Sequence, residues 1–234
     1  PEEEKIFSRK DLRYCDSPII EKDGRLLYFS ATDPSVSQSD TSDPAVILTV
    51  AINSRKEIFI TEIIREWFNP DQFIDAVINV AQKIRPVRFA FETVSFQKTL
   101  KFFLEKEKLR RKIYVNITEV KRSSHVSKQE RIKRIQQYIK AGQIFLCADP
   151  ANLSDTQKEF LDELDTFPYG RYDDILDALA DAIEIQFSPS EKPKTRFTYK
   201  NIGDSPYGTG YCYKAVEVSL EERYKSSNRE TARL

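Results

Sequence analysis

The sequence predicts a mixed α/β domain whose sheet opens with three antiparallel strands, continues with parallel ones and is flanked by helices. Three observations predict it. The runs RLLYFSATD (25–33), AVILTVAIN (45–53) and EIFITEII (57–64) are rich in β-branched and aromatic residues and bounded by turn-forming segments. From Asn69 onward, helical periodicity alternates with short apolar runs, the pattern that adds parallel strands through right-handed crossovers. The segment YDDILDALADAIEIQ then places apolar residues at helical spacing and closes the domain as a helix.

Residues 1–24 are charged and end in the turn signal KDG, so they read as a linker leading into a domain that starts near Arg25. A polar loop carrying Asp40 and Asp43 joins the first two strands, and NSRK joins the second and third as a hairpin. Asn69-Pro70 marks a helix start, and DQFIDAVINVAQKI places Phe73, Ile74, Val77, Ile78 and Ala81 at helical spacing. VRFAFE (87–92) is a short buried-type strand, VSFQKTLKFFLEKEK a helix and KIYVNITEV (112–120) the next strand. Residues 127–141 form a basic amphipathic helix, QIFLCA a short extended segment, and residues 154–165 a helix before the last one. Residues 25–187 thus make the domain. Past Ser188 the composition turns to SPSEKPKTR, then to Gly, Tyr and Ser, then to RYKSSNRETARL, so 188–234 reads as a loosely attached tail with room for a hairpin.

With 234 residues, 40% of them hydrophobic, the chain can fill a real core. No run approaches the roughly 18 apolar residues that span a bilayer. PEEEKIFSRK lacks the apolar region of a signal peptide, so no membrane and a cytosolic location are expected. Cys15, Cys147 and Cys212 are odd in number, far apart and without a CxxC pair, which predicts reduced thiols and no thiolate zinc site. Lys plus Arg and Asp plus Glu number 37 each, so any nucleic-acid contact must come from a local patch. The chain contains no Met and does not begin with one, which reads as a piece of something longer.

Three antiparallel strands, helix, strand, helix, strand and further helices is the order of an RNase H-like sheet. There, carboxylates at the end of the first strand, at the end of the fourth and on a late helix converge near one sheet edge. Here those positions hold Asp33, Glu92 and the pair Asp173 and Asp174. Each has a bland reading. Asp33-Pro34 and Asp43-Pro44 are ordinary turn chemistry. Asp173 and Asp174 suit a helix N-cap and first turn, and Asp174, Asp177 and Asp181 read alone as a solvated stripe opposite Ile175, Leu179, Ala182 and Ile183. Glu92 is sharper, because an acid after VRFAF sits at the mouth of a buried strand. What points to chemistry is their convergence in one topology. Clustered carboxylates repel unless cations neutralise them, and oxygen ligands with few His or Cys suit Mg²⁺ or Mn²⁺.

Roughly residues 26–187 resemble the nuclease domain of the large terminase subunit of tailed bacteriophages, the DNA-packaging motor. The carriers are TDPSVSQSDTSDPAVILTV, FAFETVSFQKTLKFFL, SKQERIKRIQQYIKAGQIFL and, most specifically, LDELDTFPYGRYDDILDALADAI. The resemblance implies an endonuclease that cuts concatemeric double-stranded viral DNA during packaging, with two Mg²⁺ or Mn²⁺ ions clamping the scissile phosphate. It implies Asp33, Glu92 and Asp174 as catalytic metal ligands, with Asp173 and Asp177 as neighbours; of the three, Asp33 is our choice for the bridging ligand. Asp43 matches a loop aspartate near the site, and Asp40 competes for that role. The implied partners are double-stranded DNA, an N-terminal ATPase domain, the portal protein and the small terminase subunit; the implied location is the host cytoplasm, transiently at the procapsid. None of the six glycines forms the GxxxxGK[ST] loop of the motor half, so the ATPase lies outside this chain and residues 1–24 would connect to it.

The best basic candidates lie on the helix SKQERIKRIQQYIKAG. Lys128 shares the apolar face of Ile132, Ile135 and Ile139, with Arg131 at its edge. These two cations face the body of the protein, near the site or the DNA backbone or in a structural ion pair, while Lys133, Arg134 and Lys140 point elsewhere. Lys121 and Arg122, ending the fifth strand, are candidates for phosphate contact. His125, the single His, lies in the loop KRSSHVSK, where it is an exposed imidazole unless it touches substrate. Two other readings stay open: another RNase H-like nuclease, such as a Holliday-junction resolvase or a transposase core, and a non-catalytic module docking on DNA or the portal. A glycosidase using Asp33 and Glu92 is disfavoured, Trp67 being the only Trp for sugar stacking.

Overall fold

The computed structural model describes residues 6–22, 24–34, 43–92, 95–114, 116–120, 126–187, 195–204 and 211–219, with Glu92, 95–99 and the last two ranges described by backbone alone. The chain divides into two compact units, Pro1–Phe187 and Ser188–Leu234.

In the first unit seven strands form one mixed sheet. They are β1 (Arg13–Cys15), β2 (Leu26–Asp33), β3 (Ala45–Asn53), β4 (Ile58–Glu66), β5 (Arg88–Glu92), β6 (Ile117–Val120) and β7 (Ile144–Cys147), in the spatial order β1-β7-β4-β3-β2-β5-β6. β2, β3 and β4 pair antiparallel; β5 and β6 extend one side in parallel, and β7 and β1 the other. The helices are α1 (Pro70–Ile84), α2 (Ser95–Arg111), α3 (Lys128–Lys133), α4 (Ile135–Lys140), α5 (Asp155–Thr166) and α6 (Asp174–Glu184). The antiparallel meander followed by parallel strands is the expected sheet.

β3 lies at the centre, and all nine of its residues are buried, as its nearly continuous apolar run demands. Its alternate side chains feed two cores. Val46, Leu48 and Val50 join Ile132, Ile135, Leu164 and the apolar residues of α6; Ala45 and Ile47 join Phe73, Val77, Phe89, Phe91 and Leu104. The buried hydroxyls on β2 are satisfied: Ser30 Oγ lies 2.8 Å from Thr49 Oγ1, and Thr32 donates to the Ala90 carbonyl. α1 begins in a capping box, Asn69 accepting from the Gln72 N–H and Gln72 from the Asn69 N–H, and ends at Arg85 in the left-handed region (φ 54°).

Three segments of the first unit differ from the sequence expectation. The segment read as a linker buries Phe7 and Leu12 and supplies β1, whose Arg13, Tyr14 and Cys15 pair in parallel with Phe145, Leu146 and Cys147. Cys15 and Cys147, far apart in sequence, thereby become neighbours, their sulfurs 3.4 Å apart. The strand expected over 112–120 shortens to Ile117–Val120, because α2 runs on to Arg111 and closes with Lys112 at φ 55° and the Ile113 N–H on the Lys108 carbonyl. The single helix expected over 127–141 is two, since the ladder tightens at Arg134, whose N–H donates to the carbonyls of Arg131 and Ile132. In the second unit β8 (Thr195–Asp204) and β9 (Tyr211–Ser219) form an antiparallel pair. Among the described residues no helix is long and apolar enough to cross a membrane.

Candidate functional site

The topology first fixes where the acids meet. β2 and β5 are parallel neighbours with Thr32 opposite Phe91, so Asp33 and Glu92 follow at the next position on adjacent strands, at one end of the sheet. α6 packs across β2 and β3 and carries Asp174 and Asp177 in its first turn, with Asp173 at its N-cap. That N-terminus is itself anchored: the buried Glu163 of α5 accepts the N–H groups of Ile175 and Leu176 at 3.0 and 3.2 Å.

α3 brings the cations. A capping box between Ser127 and Glu130 starts it, and residues 128 and 131, three apart, share one face. The Lys128 Nζ lies 2.8 Å from Asp173 Oδ1, 2.9 Å from Asp174 Oδ1, 3.6 Å from Asp33 Oδ2 and 4.0 Å from Asp177 Oδ2. Burial works to lower the Lys128 pKa, but the charges of Asp33 and Asp174 and hydrogen bonds to Asp173 and Asp174 outweigh it and raise it well above the ordinary lysine value. Arg131 Nη2 donates to both oxygens of Asp177 at 2.9 and 2.8 Å, and the Asp177 side chain is 3% exposed. This is a buried, bidentate ion pair, whose disruption would strand a charge.

Asp33, Asp173, Asp174 and Asp177 are thus brought together with Lys128 and Arg131. The solvated-stripe reading of α6 is corrected: Asp177 and Asp181 are buried, because α6 lies between the sheet and α3 and residues 175–183 are buried all round. Asp43 is exposed just ahead of β3, and Glu92 is placed by its backbone. Asp40, Lys121, Arg122 and His125 lie outside the described residues. Sequence reasoning missed Glu163 and its buried neighbour Arg65, whose guanidinium lies over the Tyr172 ring and 3.7 Å from Glu163. The available signal was a carboxylate at a core position of α5, on the face of Phe160 and Leu164.

Among the described residues no group of three or more His, Cys, Asp or Glu side chains is disposed to hold a metal ion. In this arrangement the Lys128 ammonium sits among the carboxylates. The donors are all hard oxygens, and among the described residues four carboxylates face two cations, an excess of negative charge. That donor set fits a hard divalent ion.

The fold is that of RNase H-like nucleases: a mixed sheet, antiparallel then parallel, flanked by helices, with acids at the ends of β2 and β5 and at the start of α6. No family model and no curated protein matches the chain. Among solved structures it resembles large terminase nuclease domains. It is 19% identical to that of Thermus phage P74-26 (TM-score 0.54), covering 80% of this chain and 98% of that one. Against the large terminase nuclease of thermophilic phage G20c with bound cobalt, identity is 17% and the TM-score 0.55, with 79% and 98% covered. Against the Mn-soaked, inhibitor-bound human cytomegalovirus terminase nuclease domain, identity is 12% and the TM-score 0.52, with 75% and 90% covered. At these identities the likeness is one of fold.

Proposed function

We propose that residues 25–187, with β1 completing the sheet, are the nuclease domain of a viral DNA-packaging terminase, a divalent-metal-dependent endonuclease acting on double-stranded DNA. The observation that carries this reading is the convergence of Asp33, Asp173, Asp174 and Asp177 from two elements on one cation, at the sheet end where β5 delivers Glu92. The metal-soaked state of neighbours with this fold supports divalent ions as its cofactors.

Asp33, Glu92 and Asp174 would hold two Mg²⁺ or Mn²⁺ ions, with Asp173 beside them. Such ions would supply Lewis-acid chemistry there, acidifying the attacking water and offsetting the charge that develops on the leaving 3′ oxygen. The chain's own residues do the positioning. β2 and β5 fix Asp33 and Glu92 on adjacent rigid strands. Glu163 holds the start of α6, and with it Asp174. Both Asp177 oxygens accept from Arg131, so Asp177 ties α3 to α6 and keeps Lys128 at the mouth of the cluster. Lys121 and Arg122, beyond β6, are assigned to the DNA backbone. Residues 188–234 form a separate tail unit. For the chain as a whole the proposed partners are double-stranded DNA, the ATPase domain, the portal and the small subunit, in the cytoplasm of the infected host.

The test is cleavage of supercoiled plasmid with Mn²⁺, Mg²⁺ or EDTA. Cutting is expected with either metal, none with EDTA, and a loss of at least about a hundredfold in Asp33→Asn and Asp174→Asn variants whose circular dichroism matches the parent, the scale of removing a group that stabilises developing charge. A folded parent chain that binds DNA yet never cuts would replace the nuclease with a docking module.

A further inference from the structure

Lys128 does more than sit near the acids. Its ammonium is bonded to Asp173 and Asp174, lies within 3.6 Å of Asp33 and 4.0 Å of Asp177, and so occupies the place where charges from β2 and α6 converge. Its stem comes from the first position of α3, which is held independently by the Ser127–Glu130 capping box and, one turn on, by the Arg131–Asp177 pair. α3 can therefore stay in place while the long, one-third-exposed side chain moves.

We propose that Lys128 is a removable counter-ion: in the resting protein it neutralises and assembles the carboxylate cluster, and a divalent ion enters only by displacing it. The inference rests on the metal-site reading above. Without an internal cation, Asp173 and Asp174 would repel each other at the N-terminus of α6 and Asp33 across from it. With one, the cluster is preformed, but a divalent ion must compete with contacts already made. Arg131 has no such role, because its two bonds to a buried carboxylate leave it nowhere to go.

The experiment is calorimetric titration of the folded chain with Mn²⁺, beside Lys128→Met and Lys128→Arg. Removing the competing charge in Lys128→Met is expected to tighten Mn²⁺ binding at least about tenfold, the scale of one hydrogen-bonded charge contact. Lys128→Arg, which keeps the charge, is expected to show no tightening. Lysine footprinting of the unaltered chain by reductive methylation needs no variant: Lys128 is expected to be protected in EDTA and labelled in Mn²⁺. Equal affinity in the parent and Lys128→Met, equal tightening in both variants, or a Lys128 footprint that ignores Mn²⁺ overturns the inference and leaves the nuclease reading intact. Absence of Mn²⁺ binding by every form overturns both.

Discussion

Glu163 lies on the buried face of α5, and its two oxygens meet different neighbours. Oε2 accepts from the N–H groups of Ile175 and Leu176, while Oε1 lies 3.7 Å from Arg65 Nη1. Burial is the largest influence and, reinforced by the charge of Asp174, pushes the carboxyl up to about 8; Arg65 and the two N–H groups pull the other way without prevailing. Between its ordinary value of 4.5 and about 8, the folded protein therefore keeps a proton that the unfolded chain has lost. The contribution of Glu163 to stability is undiminished below that interval and falls as pH rises through it, by on the order of 1 kcal/mol per pH unit. Glu163→Gln keeps an oxygen for the same N–H groups and cannot ionise. Urea unfolding across the interval is expected to show the parent losing stability with pH relative to this variant. Parallel curves would mean that Glu163 is already ionised at the low end.

At the scale of elements, legibility followed the range of the interactions involved. α1 could be read because its determinants are local: Asn69 and Pro70 mark its start, and Phe73, Ile74, Val77 and Ile78 face the core at helical spacing. That division of labour is measurable. Asn69→Ala is expected to cost about 1 kcal/mol, and Phe73→Ala, which empties a fully buried site, about 3–5 kcal/mol, both by urea unfolding; similar costs would mean that the cap and the core side chain matter equally. β1 was invisible, because RYC in a charged segment becomes a strand only through β7. β6 is shorter than its local β-propensity suggests, because α2 and the turn that closes it take up the chain as far as Ile113. Within the site, Asp33 and the acids opening α6 were legible, since strand ends and helix starts can be located from pattern alone. The placement of Lys128 among them was only half legible. Helical spacing turned it inward, but the identity of its partners depends on α3 packing against α6, a contact that no local pattern encodes.

At the scale of the whole molecule, both principal cores lie on the two faces of one sheet, and their described members all fall between Phe7 and Ile185. The second unit begins at Ser188. A chain ending at Phe187 is therefore expected to unfold in one cooperative transition with an unchanged midpoint, followed by circular dichroism in urea; a lowered midpoint would assign part of that stability to residues 188–234. The sheet also carries a consequence for how the protein is made. β1 leaves the ribosome before any other strand of the sheet, yet its partner β7 lies 132 residues further on, counted from Cys15 to Cys147. At about 5–20 residues per second, translation takes roughly 7–26 s to cover that gap. β2, β3 and β4 are consecutive in the chain and can pair during that wait. The nascent sheet thus grows outward from its middle, and its β1 margin is sealed only after most of the unit has been synthesised.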